Sequence, residues 1–175
     1  MTDIAASQAS SVDPLRWASF RTHPMRSLGI VLVLFNRWVF GLFYIFAAIN
    51  KFRGGYLFTD KLRATLQARV PELPPDSFAV TYIESFIIPL YVPISWLIAW
   101  GELAAGVGLL LGLCTRWAAA FALFFIVNFA IGGFYDASLF VLRAIAVLFI
   151  VTPSGRWMGL DRRLHARYPG SIWFR

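Results

Sequence analysis

Four long apolar stretches, at roughly 28–50, 94–113, 117–134 and 137–152, fill most of this 175-residue chain. A charged or amide side chain sits near the middle of each: Arg37, Glu102, Asn128 and Arg143. A helix of about 20 apolar residues crosses the hydrocarbon core of a bilayer. The pattern therefore predicts an all-α integral membrane protein, a four-transmembrane-helix bundle. An ionisable group at bilayer depth is costly, so each interruption marks a candidate functional position.

Composition narrows the field further. Hydrophobic residues make up 59% of the chain and charged residues 14%, against about a quarter charged in a soluble domain. Residues 1–24 are polar, without the apolar core of a cleaved signal peptide, so the first apolar helix is expected to act as its own insertion signal. Cys114 is the single cysteine, which excludes an internal disulfide and dithiol chemistry. His23 and His165 lie far apart with no companion ligands, so no metal site is expected.

The net charge of +7 is distributed in a way that argues against nucleic acid. Arg16, Arg21 and Arg26 precede the first apolar stretch, and Arg156, Arg162, Arg163, Arg167 and Arg175 follow the fourth. Arg116 sits in the turn between the second and third stretches, whereas the next turn carries only Asp136. Basic residues collect on the cytoplasmic side. Both termini are therefore expected in the cytoplasm, with residues 51–93 outside and the basic tails against anionic lipid. The expected organisation is a cytoplasmic tail at 1–27, a membrane domain at 28–155 with its outer loop at 51–93, and a basic cytoplasmic tail at 156–175.

The outer loop carries its own pattern. Phe58, Leu62, Leu66 and Val70 recur every fourth residue, with Lys61, Arg63 and Arg69 off that stripe. This is a short amphipathic helix, with Thr59 or Asp60 as its cap. Residues 77–88 predict a second short helix, stopped by Pro89 and Pro93. In the second apolar stretch Ala104, Gly108 and Gly112 form one small-residue face, of the kind that lets helices approach closely in lipid. Trp96, Trp100, Trp117 and Trp157 stand near helix ends as interfacial anchors.

Counting depth at about 1.5 Å per residue puts Glu102, Asn128 and Arg143 some 18–20 Å above the cytoplasmic turns, with Arg37 close to that level. A shared polar layer follows, in which Glu102 pairs with Arg143, Arg37 or both through the guanidinium fork. Such a layer holds one positive charge in excess, which a quinone carbonyl, an anion, a lipid phosphate or a neighbouring chain would satisfy. Glu84 with Tyr82, and Tyr135 with Asp136, are further candidates for the mouth of a pocket. No nucleotide-binding loop is present.

Three segments carry a family resemblance: RWVFGLFYIFAAINKF at 37–52, WGELAAGVGLLLGLCTRWAA at 100–119 and GRWMGLDRRL at 155–164. With Gly101-Glu102, the spaced glycines, and Gly112-Leu113 before Thr115-Arg116, they resemble the DoxX/DoxD family. The resemblance implies a multi-pass protein of the prokaryotic cytoplasmic (inner) membrane, related to the membrane subunit of a thiosulfate:quinone oxidoreductase. It also implies that Lys51 matches the family's lysine after helix one, Glu102 its helix-two acid and Arg37 its helix-one arginine.

The expectation is a quinone-interacting membrane subunit of a redox complex with no cofactor of its own. Glu102 would accept or donate a proton, and Arg143, Arg37, Asn128 and Lys51 would bind the ligand. Lipids, quinone and companion proteins are the expected partners, and nucleic acid is not. The alternative is a non-catalytic structural or assembly subunit of a larger respiratory or photosynthetic membrane complex.

Overall fold

The computed structural model describes residues 21–174, so the readings of residues 1–20, including Trp17 and Phe20 at the membrane surface, lie outside it. All regular structure among the described residues is helical. The long helices are α1 (Pro24–Arg53), α4 (Tyr91–Leu111), α5 (Thr115–Ile131) and α6 (Ala137–Val151). Between α1 and α4 lie α2 (Lys61–Arg69), a 3₁₀ turn (Val70–Glu72), and α3 (Phe78–Tyr82), which runs on as a π-helical turn (Ile83–Ile87). Two short helices, α7 (Ser154–Trp157) and α8 (Leu160–Arg167), follow α6.

Local chemistry sets these boundaries. Pro24 occupies the first turn of α1, where its missing N–H and fixed φ cost nothing. Gly54 and Gly55 end the helix, and Gly55 takes φ +72°, a left-handed conformation that favours glycine. At the end of α4, Gly112 also turns left-handed, and Leu113 N–H donates to Gly108 O at 2.8 Å. This closing bond satisfies a helix-end carbonyl and redirects the chain into α5. In the outer segment, Asp60 occupies the cap position of α2 without a side-chain cap, and Thr59 Oγ1 accepts from Lys61 N at 3.3 Å. Leu62 and Leu66 are buried as their spacing requires, whereas Phe58 is exposed and meets Trp96 edge-on.

Helices α1, α4, α5 and α6 pack side by side around Phe40, Tyr44, Leu109, Ala122, Phe125 and Phe149. At the α1–α4 crossing the two backbones meet: a Cβ on Gly106 would lie 2.8 Å from Gly41 O, and one on Gly41 3.0 Å from Gly106 O. The expected face of Ala104, Gly108 and Gly112 does not form. Ala104 is exposed, Gly108 packs on Ala118 of α5, and Gly112 is the helix cap. The reason is geometric, because α4 has neighbours on two sides and its small residues divide between them.

Large apolar side chains cover the outside of the bundle, among them Phe35, Phe43 and Phe46 of α1, Trp100 of α4 and Phe140 of α6. A contiguous apolar exterior of this kind suits lipid rather than water. By length and hydropathy α1 and α4 qualify as membrane-crossing helices; α5 and α6, with 17 and 15 residues, are apolar but shorter.

The two ends of the bundle differ. At the tail end, α7 and α8 fold back under the bundle. Asp161 accepts from Cys114 N at 2.7 Å and from Thr115 N at 2.9 Å, capping α5 from a distant part of the chain. Its own N–H donates to Gly112 O at 2.8 Å. At the loop end, α2 and α3 roof the space between α4 and α5. Arg69 ties this roof down by donating to Gly133 O at 2.7 Å, pairing with Glu72, and lying 5.4 Å from the centre of the Phe134 ring.

Candidate functional site

Glu102 is the one buried carboxylate on the long helices, and its partner is Lys51 rather than an arginine. Lys51 Nζ lies 2.7 and 2.9 Å from the two carboxylate oxygens, and the Glu102 side chain is only 5% exposed. The direction of side chains on a helix explains the pairing. Each Cα–Cβ bond tilts toward the N-terminus of its helix. In antiparallel α1 and α4, Lys51 therefore leans into the bundle while Glu102 leans toward the loop end. The two meet between Cα positions that differ in depth.

The expected single layer separates into four places. Arg37 lies at the tail end, 1% exposed, donating to Ser154 O at 2.5 Å and also to Met158 O. Asn128 faces the loop end, where its Oδ1 accepts from the Tyr82 hydroxyl at 2.7 Å. Arg143 is half-buried and donates from Nε to Leu139 O, one turn back on its own helix, at 3.2 Å. Depth counting failed because α1 has 30 residues and α4 has 21. α1 runs well past its neighbours, so a mid-helix arginine reaches the end of α4. The predicted excess positive charge beside Glu102 is corrected accordingly: Lys51 balances the carboxylate, and neither Arg37 nor Arg143 reaches it.

Beside the ion pair, a cleft of about 220 Å³ opens between the roof and helices α4 and α5. Leu62 and Leu66 of α2, Ile83 and Phe86 of α3, Ile98 of α4 and Phe125 of α5 give it an almost wholly apolar wall. Polar groups reach it at Tyr56, Thr65 and the Tyr82–Asn128 pair. A cavity lined mostly by apolar surface with a few placed polar groups is the usual form of a small-molecule site. The π turn that follows Tyr82 is also a form often found at functional sites.

Tyr56 joins cleft and ion pair. The Gly54-Gly55 turn folds the chain back so that Tyr56 N donates to Lys51 O at 3.2 Å. Its ring then lies with its centre 5.7 Å from Lys51 Nζ. Burial first, and the charge of Glu102 second, push the Tyr56 phenol above its ordinary range, so it stays protonated. Burial pushes the Tyr82 phenol up as well.

Sequence reasoning named Lys51 only through resemblance, and it missed Tyr56 and Asp161. The inward lean of a lysine ending one helix, opposite an acid on the next, was the available signal for Lys51. Tyr82 does line the cleft, while Glu84 and Tyr135 are exposed and Asp136 caps α6 through Leu139 N.

The sequence model of the DoxX family matches residues 32–135, more than half of the chain and the part that builds α1 to α5 with the cleft. The chain belongs to the DoxX family. It is a helical membrane protein of that family. Searches of curated proteins and of solved structures returned no match. Both halves of the ion pair, Tyr56 and the cleft wall fall within the DoxX match, as do Arg37, Cys114 and Thr115, whereas their tail-end partners Ser154, Met158 and Asp161 lie beyond it.

Proposed function

We propose that this DoxX protein is the quinone-interacting membrane subunit of a redox complex. In this reading it crosses a prokaryotic cytoplasmic membrane four times through α1, α4, α5 and α6, with both termini in the cytoplasm. The observation that carries the proposal is an apolar cleft of about 220 Å³ that shares Tyr56 with a buried Lys51–Glu102 pair. Pockets for drug-sized ligands start at roughly 300 Å³, so this volume suits one ring, with an isoprenoid tail lying along the apolar exterior.

A quinone supplies two carbonyl oxygens that accept hydrogen bonds and, on reduction by two electrons, take up two protons. The protein's own residues suit that chemistry. Tyr56 and the Tyr82–Asn128 pair present polar atoms at the cleft. Lys51 and Glu102, in direct contact, are the ionisable pair that would exchange protons as general acid and base. Phe125 and Ile98 give the inner wall an apolar surface. Electrons would come from a companion subunit.

Extraction of the native membrane complex, followed by quantification of co-purified quinone, tests this reading. Wild type should retain quinone in proportion to protein, and Glu102→Gln should retain it but lose quinone reduction. Absence of quinone, together with unchanged electron transfer in Glu102→Gln, would favour the alternative of a structural or assembly subunit. The broad exposed aromatic face of α1 is the feature that would serve that role.

A further inference from the structure

Resting on the cleft reading, we propose that Tyr56 is the hydrogen-bond donor that presents the Lys51–Glu102 pair to the ring in the cleft. Three observations converge on this residue. It lines the cleft, Lys51 lies over its ring, and a left-handed glycine turn fixes its position directly after α1. Lys51 and Glu102 are engaged with each other through both carboxylate oxygens, so a ring in the cleft meets them through a neighbour. Tyr56 belongs to the cleft wall and also lies against the Lys51 ammonium. Its phenol is held protonated by burial and by the nearby carboxylate, so it donates at every working pH.

The chemistry is a hydrogen bond from the Tyr56 hydroxyl to a carbonyl oxygen of the ring. Tyr82, whose hydroxyl donates to Asn128, is a second polar group on the cleft wall.

The test uses the full-length protein in lipid nanodiscs and a decyl-substituted benzoquinone labelled with ¹³C at its carbonyls. Infrared difference spectra report the carbonyl stretch, and titration reports affinity. Wild type should bind the probe and shift one carbonyl band to lower frequency than in protein-free discs. Tyr56→Phe should return that band toward its lipid value and weaken binding about five- to tenfold, the worth of one hydrogen bond. Replacing Tyr56 with 3,5-difluorotyrosine, a stronger donor of nearly the same shape, should move the band further down, which a merely structural role would not do. Leu66→Trp fills the cleft and should abolish binding.

The outcomes separate the two claims. If Leu66→Trp abolishes binding while Tyr56→Phe and the fluorinated residue leave the band unmoved, the role of Tyr56 is overturned and the cleft reading stands. If Leu66→Trp leaves binding intact, or wild type does not bind, the cleft reading falls and the inference about Tyr56 with it.

Discussion

Two buried charged centres lie at opposite ends of the same helix pair, and they are built differently. At the tail end Arg37 donates to the backbone carbonyls of Ser154 and Met158, and Asp161 accepts from the backbone of Cys114 and Thr115. Side chain meets main chain throughout, and Gly112 and Gly159 touch backbone to backbone. At the loop end Lys51 and Glu102 hold each other, side chain to side chain, next to an open cleft. Main-chain partners cannot change protonation or move away without unfolding. Side-chain partners can do both. The difference teaches that burial of charge alone does not mark a candidate reaction centre: the first centre is a clasp of side chain on main chain, whereas the second joins two ionisable side chains.

The largest expected effect breaks the clasp. Asp161→Ala removes two charge-assisted hydrogen bonds, each worth roughly 1.5–3 kcal/mol, and should destabilise the fold by about 3 kcal/mol or more in a denaturant titration. Gly155→Ala should act in the same direction, since its Cβ would collide with Thr115 Oγ1 and the Asp161 carboxylate. A loss below about 1 kcal/mol for Asp161→Ala would mean that the tail-end contacts do not hold the bundle.

An asymmetric effect, no larger than that one, is expected at the ion pair. Lys51→Met strands a buried carboxylate and should cost about 3 kcal/mol, largely recovered in the double variant with Glu102→Gln. Glu102→Gln alone should cost less than about 1 kcal/mol, because Lys51 lies in the last turn of its helix, partly exposed, and can swing its ammonium to water. Equal losses for the two single variants would show that Lys51 is as locked as Arg37, and the contrast would fail.

The smallest effect concerns a group outside both centres. The Ser138 hydroxyl first, and the Leu139 N–H second, hold the Asp136 carboxylate below its ordinary range. Its capping contribution is therefore complete above the unfolded aspartate value of about 3.9, and is lost as pH falls through the lower folded value. Hydrogen exchange of the first-turn amides of α6 should rise at that acid limit, and Asp136→Asn should remove the pH dependence. No change in exchange would show that this cap does not order the helix.

Much of the architecture is legible in the sequence. Apolar length marks the four long helices, the Gly-Gly and Pro breaks mark their ends, and the spacing of Leu62 and Leu66 marks the roof. The partnerships are not legible, for identifiable physical reasons. Depth counting treats helices as equal rods and puts Arg37 beside Glu102, whereas the excess length of α1 carries it to the tail end. It also ignores the direction in which side chains lean, which is what joins Lys51 to Glu102. Asp161 lies past the apolar stretches among arginines and reads as part of a solvated tail. Its role exists only once α7 and α8 fold back, which no local pattern encodes. The cleft is likewise a product of tertiary packing between a roof and two helices.

The most direct measurement of the central claim is a high-resolution density map of the protein in nanodiscs loaded with the decyl-substituted benzoquinone. The account predicts ring-shaped density between Tyr56 and Asn128, within hydrogen-bond reach of the Tyr56 hydroxyl and beside an intact Lys51–Glu102 pair. An acyl chain threading the cleft, or a cleft closed by its own side chains with the quinone elsewhere, would contradict it.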